Sequence, residues 1–251
     1  MRTAGVIGTS LILLFCSISC AHARTAEYCH TPSVQTLIAW YHTAYPDKPL
    51  RYSPRNSAIY HPFAVFRTQQ PPIHWIGLAW LSPEWGALFA VNCDGRPLAA
   101  RSDGAVGKIS AGPALPVLGQ TVMAEYVDAE TGDCVHDSIE ILTLRDGNIV
   151  SLWKHGYRQG MNVTDAKTHF NGFVTENYAV SFSDDGKTIQ VTGKILAYSY
   201  RKDGSQSPMP SSSKTLPAET WHWNASTLRF LPEKRYPQPG LCVNPDRSSA
   251  K

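Results

Sequence analysis

Tyr178-Ala-Val-Ser-Phe182, Ser183-Asp184-Asp185-Gly186-Lys187 and Thr188 to Tyr200 decide the fold class. The first and third runs alternate apolar and polar residues with period 2, as a strand with one buried face does. Asp185-Gly186 between them is a hairpin signal, because Gly accepts the positive φ that a tight turn needs. A polar, Pro-bearing stretch from Ser207 to Pro217 follows and is expected not to pair. Thr220-Trp221-His222-Trp223-Asn224 then reads as a third strand.

The same grammar extends upstream. Gln120 to Val127, Cys134 to Leu144 and Ile149 to Lys154 read as strands. Asp128-Ala-Glu-Thr-Gly-Asp133 and Arg145-Asp146-Gly147-Asn148 read as the connections between them. Successive short-turn hairpins make an antiparallel meander. Before them, His74 to Leu81 and Leu88 to Cys93 look like strands, with a shorter one at Ala64 to Arg67. Gly104 to Pro116, rich in Gly, Ala and Pro, reads as a linker, dividing the chain into regions 24–112 and 113–245 packed as one unit. Asp-Gly pairs at 103, 146 and 185 are spaced close to a propeller blade, but no blade signature recurs around them.

One helix is expected near Thr31–Tyr45. Thr31 suits an N-cap and Pro32 the first helical position, and Pro46 stops the run. Val34, Leu37, Ile38, Tyr41 and Tyr45 form one apolar stripe. The expected fold is therefore mainly β (α+β): an antiparallel meander sheet, half-barrel or sandwich, with one N-terminal helix.

The first 23 residues read as a secretory signal peptide. Arg2 is basic, Ala4 to Ile18 is largely apolar, and Ala21-His22-Ala23 is an A-x-A cleavage pattern. A lipoprotein acylated at Cys20 is the rival reading, although Ser17 stands where a lipobox usually has Leu. No later stretch is long and apolar enough for a transmembrane segment. The expected location is secreted or periplasmic. Cys29, Cys93, Cys134 and Cys242 then remain, and an exported chain would pair them as two disulfides. Of three connectivities, Cys29–Cys93 with Cys134–Cys242 ties each half within itself. With 23 basic and 20 acidic residues, the charge balance gives no reason to expect nucleic acid as a partner.

Catalytic signatures are missing from the sequence. There is no G-x-S-x-G, H-E-x-x-H or C-x-x-C, and no cofactor motif. Asp128 to Asp133 lacks the register of a calcium loop. Glu125, Asp137 and Glu140 sit on neighbouring expected strands at a spacing that glycoside chemistry could use, as many carboxylate pairs in a β protein would. Asn162-Val-Thr164 and Asn224-Ala-Ser226 match the glycosylation sequon.

Trp153-Lys154-His155-Gly156-Tyr157-Arg158 is the candidate binding segment. It is read as leaving a strand for the long polar stretch His155 to Asn171, broken by Gly156 and Gly160. It gathers aromatics and cations of the kind that concentrate binding energy. Tyr157 and Arg158 are the expected contacts, with Lys154 and His155 beside them and Trp153 structural. Trp221 and Trp223 share a strand face and are expected inside, leaving Thr220, His222 and Asn224 outward as a second candidate surface. The expected function is an exported, non-enzymatic binding protein, most concretely an inhibitor or immunity-type partner of another protein. The alternative is a secreted carbohydrate-active protein, either a sugar-binding module or a carboxylate-dependent hydrolase. An open groove with two carboxylates beside an exposed Trp would favour sugar; a protruding loop would favour a protein.

Overall fold

The computed structural model describes residues 30–47, 61–67, 72–79, 86–103, 105–129 and 134–234. The chain is mainly β: the described residues form one helix and two antiparallel sheets, with no closed barrel among them. The small sheet has the order β1 (His61–Arg67), β2 (Ile73–Ala79), β3 (Gly86–Asn92), β4 (Pro97–Asp103). The large one is a meander from β5 (Ala105–Leu115) through β6 (Gly119–Ala129), β7 (Cys134–Arg145), β8 (Asn148–Asp165) and β9 (Phe170–Phe182) to β10 (Thr188–Ser199). The far edge of β10 is shared by β11 (Ser212–Thr215) and β12 (Glu219–Asn224), and β13 (Arg229–Pro232) pairs with β12.

Helix α1 (Val34–Ala44) starts two residues later than Thr31 and Pro32 imply. Ser33 is the N-cap, its Oγ accepting the amide hydrogen of Thr36 at 3.1 Å. The expected stripe holds: Leu37, Ile38 and Tyr41 are buried against Ile76, Leu78, Ala87, Phe89 and Val91 of the small sheet. The opposite face of that sheet, with Ile73, Trp75, Leu88 and Ala90, packs on Val106, Ile109, Val122, Ala124, Tyr126 and Leu142 of the large sheet. β3 lies between the helix and the large sheet, so both its faces are covered and it reads as a continuous apolar run.

Across this sheet–sheet layer runs an ion cluster around one buried carboxylate. Glu140 has no exposed surface; Arg101 of β4 donates to it from Nη1 (2.8 Å) and Nη2 (3.2 Å), and Lys154 Nζ lies 2.9 Å away.

The opening hairpin is as the sequence reads it. Gly186 has φ +70°, its amide donates to the Ser183 carbonyl at 2.9 Å, and Asp185 Oδ1 accepts from the Lys187 amide at 3.0 Å. Asp146 and Gly147, both at positive φ, turn β7 into β8 as a type I′ pair does.

Three segments differ from expectation. The supposed linker is β5, an edge strand. Its ladder shifts register between Val106 and Lys108 and between Ala111 and Ala114, and β6 side chains satisfy the displaced carbonyls. Gln120 Nε2 donates to Gly112 O, and Thr121 Oγ1 donates to Pro113 O, each at 2.6 Å. An edge strand tolerates Pro and Gly at such bulges. The polar stretch His155 to Asn171 is the second half of β8, the turn after it and the start of β9. Gly160 there leaves room for the Phe173 ring across the ladder. Finally, Ser212–Thr215 does pair, because β12 covers only Thr188–Val191 of β10 and leaves Lys194–Ala197 to β11.

Cys93 and Cys134 each take part in a disulfide, and Cys29 and Cys242, expected as their partners, lie outside the described residues. The His30 amide donates to the Cys93 carbonyl at 2.9 Å, so residue 30 lies beside Cys93. The loop expected at Asp128 to Asp133 also falls mostly outside the described residues.

Candidate functional site

The large sheet curls so that one face encloses its own core. Ile139, Ile141, Leu152, Trp153, Tyr178, Ile189, Val191 and Phe230 are buried there, with Trp221 and Trp223 packed against them. Within this apolar lining sit polar groups. His155, Glu176 and Glu219 are 3%, 2% and 5% exposed, so none can be solvated as an ordinary surface side chain is.

These groups lie close to one another, although His155 Nε2 makes no hydrogen bond. His155 Nδ1 lies 2.5 Å from the Gly156 carbonyl, and its Nε2 faces Glu219 Oε2 at 3.3 Å. Glu219 Oε2 also accepts from Trp221 Nε1 at 3.2 Å. The Tyr178 hydroxyl donates to Glu176 Oε2 at 3.1 Å. Burial raises the Glu176 carboxyl above its ordinary range despite that bond. Burial first, then the Glu176 and Glu219 carboxylates, push the Tyr178 phenol upward. The Tyr178 ring lies over Gly193: a Cβ there would fall 2.8 Å from its Cδ1 and Cε1.

The candidate segment Trp153 to Arg158 is thus not a loop. It is the middle of β8, and strand geometry sends its side chains to different places. Trp153 is buried, as expected of a structural residue. His155 is buried against it, the rings stacked at 5.7 Å and 19°, and offers no surface to a partner. Lys154 is exposed along its stem but ends on Glu140. Tyr157 is half-buried on the concave core. Arg158 is about half exposed and ends on Asp137 at 2.8 Å. His222 is exposed on the outer face of β12, its Nδ1 3.4 Å from Thr188 Oγ1, while Trp221 and Trp223 turn inward as expected.

The carboxylate set behaves similarly. Glu125 meets Lys108 at 3.3 Å, Asp137 meets Arg158, and Glu140 is enclosed by Arg101 and Lys154. Among the described residues no group of three or more His, Cys, Asp or Glu is arranged to hold a metal ion, and no helix is long and apolar enough to cross a membrane.

Sequence reading missed a different feature. β5 and β6 are joined by Pro116-Val117-Leu118. Val117 is 93% exposed, the most exposed large apolar side chain among the described residues, and its φ is +73°. A turn position at positive φ normally takes Gly, Asn or Asp. A β-branched residue there is strained. The turn is held from below: Leu115 is buried in the concave core, Leu118 packs against it, and Gly186 of the neighbouring turn approaches Pro113 and Ala114. The meander also brings the turns at 116–118, 146–147, 183–187 and 225–228 to the same end of the sheet.

No protein-family model matches the chain, and no curated protein matches it in sequence. The fold and its sites define a two-sheet, mainly β protein with a curled meander and a strained apolar turn at one end.

Proposed function

We propose that this protein is an exported, non-enzymatic binding protein, most concretely an inhibitor or immunity-type partner of another protein, and that the Pro116-Val117-Leu118 turn is its leading contact. The observation that carries the reading is Val117: an apolar, β-branched side chain 93% exposed at positive φ. The backbone opposes a β-branched residue at that φ, and strained positions cluster at functional sites, so its use is sought in something that covers it. Leu115 and Leu118 anchor the turn on the curled core, and a pre-ordered loop loses little entropy when a partner closes on it. Export is supported by the leader pattern of Met1 to Ala23 and by the oxidised state of Cys93 and Cys134; Cys29 and Cys242 are their proposed partners. The carbohydrate reading has less support, since Glu125, Asp137 and Glu140 each lie against a cation.

The test is capture from an extract of the source organism by the mature protein, with mass spectrometry of what binds. Val117→Asp is the control, because Asp tolerates positive φ better than Val and the fold should be kept. Wild type should retain a protein that the variant loses, with affinity weakened about tenfold or more. A folded variant that captures the same protein equally well removes the turn from the interface.

A further inference from the structure

We propose that the open edge of β11 takes an extended, acidic segment of a protein partner, added to the large sheet as a further strand. Among the described strands β11 pairs with β10 alone, and Ser212, Ser213, Lys214 and Thr215 are all exposed. The register sets which backbone groups are open. The Leu216 amide donates to the Gly193 carbonyl at 2.9 Å, and hydrogen-bonded pairs alternate from there. Lys214 therefore exchanges hydrogen bonds with Ile195. Ser213 and Thr215, opposite Leu196 and Lys194, turn their N–H and C=O groups away from β10. Pro210 and Pro217 stand on either side and carry no N–H, which confines the open edge to this strand. Such an edge is a template for one more strand.

The surroundings choose the charge of that strand. Between Gly186 and Ala218 the chain carries Lys187, Lys194, Arg201, Lys202 and Lys214 and a single acid, Asp203. Lys187 reaches Asp185 at 3.6 Å. Lys194, Arg201, Lys202 and Lys214 are exposed and form no ion pair among the described residues. Elsewhere in the large sheet Lys154 and Arg158 end on carboxylates instead. Lys194 lies opposite Thr215 and Lys214 opposite Ile195, so the two lysines flank the edge on its two faces. Arg201 and Lys202 cap the arm that joins β10 to β11, and that arm is ordered. The Arg201 amide donates to the Ser205 carbonyl at 2.8 Å, and Tyr200 pairs with Gln206 as an isolated bridge. Asp203 Oδ1 accepts from the Ser205 amide at 2.9 Å and its hydroxyl at 2.7 Å, so the one acid is engaged by its own turn.

Backbone and charge together single out the occupant. Outward N–H and C=O groups repeating along an edge are matched by another peptide backbone, not by a phosphate surface or a glycan. A second copy of this chain would bring its own Lys194 and Lys214 to the same edge, and like charges facing each other across strands are destabilising. The lysines that keep copies apart attract a strand bearing Asp or Glu. This edge is also separate from the turn at 116–118. β11 covers Lys194–Ala197, the second half of β10, whereas the turn at 183–187 beside Pro113 and Ala114 precedes Thr188.

The probe is a synthetic peptide of alternating Glu and Thr, titrated into the whole protein at low salt, with binding read by calorimetry and the edge by amide NMR. The peptide should bind and slow hydrogen exchange at Ser213 and Thr215. A peptide of alternating Lys and Thr should not bind. Ser213→Pro removes an outward N–H and no bond to β10, and the double variant Lys202→Glu/Lys214→Glu reverses the charge beside the edge. Each should keep the wild-type fold and weaken binding of the acidic peptide about tenfold or more. No binding of the acidic peptide overturns the proposal, and so does equal binding by either folded variant or protection that falls elsewhere than β11. Phosphatidylglycerol vesicles are titrated in parallel; vesicle binding that the peptide does not compete assigns these cations to a membrane and overturns it too. Val117→Asp should bind the peptide as wild type does, so a failure at β11 is distinguishable from a failure at the 116–118 turn.

Discussion

Arg101 and Glu140 join the two sheets: the guanidinium of β4 grips, with two parallel hydrogen bonds, a carboxylate of β7 that has no exposed surface. A planar fork matched to a carboxylate is the geometry in which a buried ion pair holds two elements in one register. The pair fixes where the small sheet sits on the large one, although their shared core is otherwise apolar and would tolerate sliding.

Removing one member should therefore be costly. Arg101→Met leaves the buried carboxylate with Lys154 alone, and urea denaturation should show a loss of about 3 kcal/mol. Burial raises the Glu140 carboxyl, but the Arg101 and Lys154 bonds outweigh it and hold the group below its ordinary range. A depressed carboxyl contributes stability that is present above its unfolded value and is lost as pH falls through the depressed one. Wild type should lose stability over that acid window, and Glu140→Gln should show a shallower decline. An unchanged acid limb would remove Glu140 from the acid response.

Val117→Gly should make the protein more stable by about 1 kcal/mol, because Gly takes φ +73° without strain. The same change removes the apolar side chain, so partner capture should weaken while the melting temperature rises. A melting temperature that falls instead would show that the turn is not strained.

Gly186→Val should act in the opposite direction. The residue holds φ +70°, and a Cβ there would lie 2.9 Å from Pro113 Cβ and 3.1 Å from the Ala114 carbonyl oxygen. Strain in the turn and displacement of β5 together should cost about 2–3 kcal/mol by thermal or urea unfolding. An equal melting temperature would contradict the close packing of the two turns.

The export proposal predicts that the mature protein presents no thiol to an alkylating reagent and begins at Arg24. Intact mass before and after reduction reads both at once. Two or more alkylated cysteines without reduction, or a lipid mass on Cys20, would sink the respective half of this expectation.

Local chemistry made much of the architecture legible. Asp185-Gly186 and Asp146-Gly147 announce their hairpins because few residues accept positive φ. The α1 stripe is legible because a helix against a sheet must be apolar on one side. Trp221 and Trp223 share the inner face because strand side chains alternate.

What only the tertiary structure decided is anything whose partner lies far away in sequence. β5 looks like a linker until Gln120 and Thr121 supply the hydrogen bonds that its bulges displace. The second half of β8 looks like a loop because its polar residues answer to side chains on other strands: Arg158 to Asp137 of β7, and His155 to the neighbourhood of Glu219 on β12. Val117 looks like one more apolar residue; its exposure depends on how the β5–β6 ladder ends and on what packs beneath it. His155 and Glu219 are 64 positions apart in the chain, and two strands separate them in the sheet. Turn preference and side-chain alternation are properties of neighbouring residues, so the sequence states them directly. Curl, bulge and ion pairing arise from cross-strand contacts, which exist only once the sheets have formed.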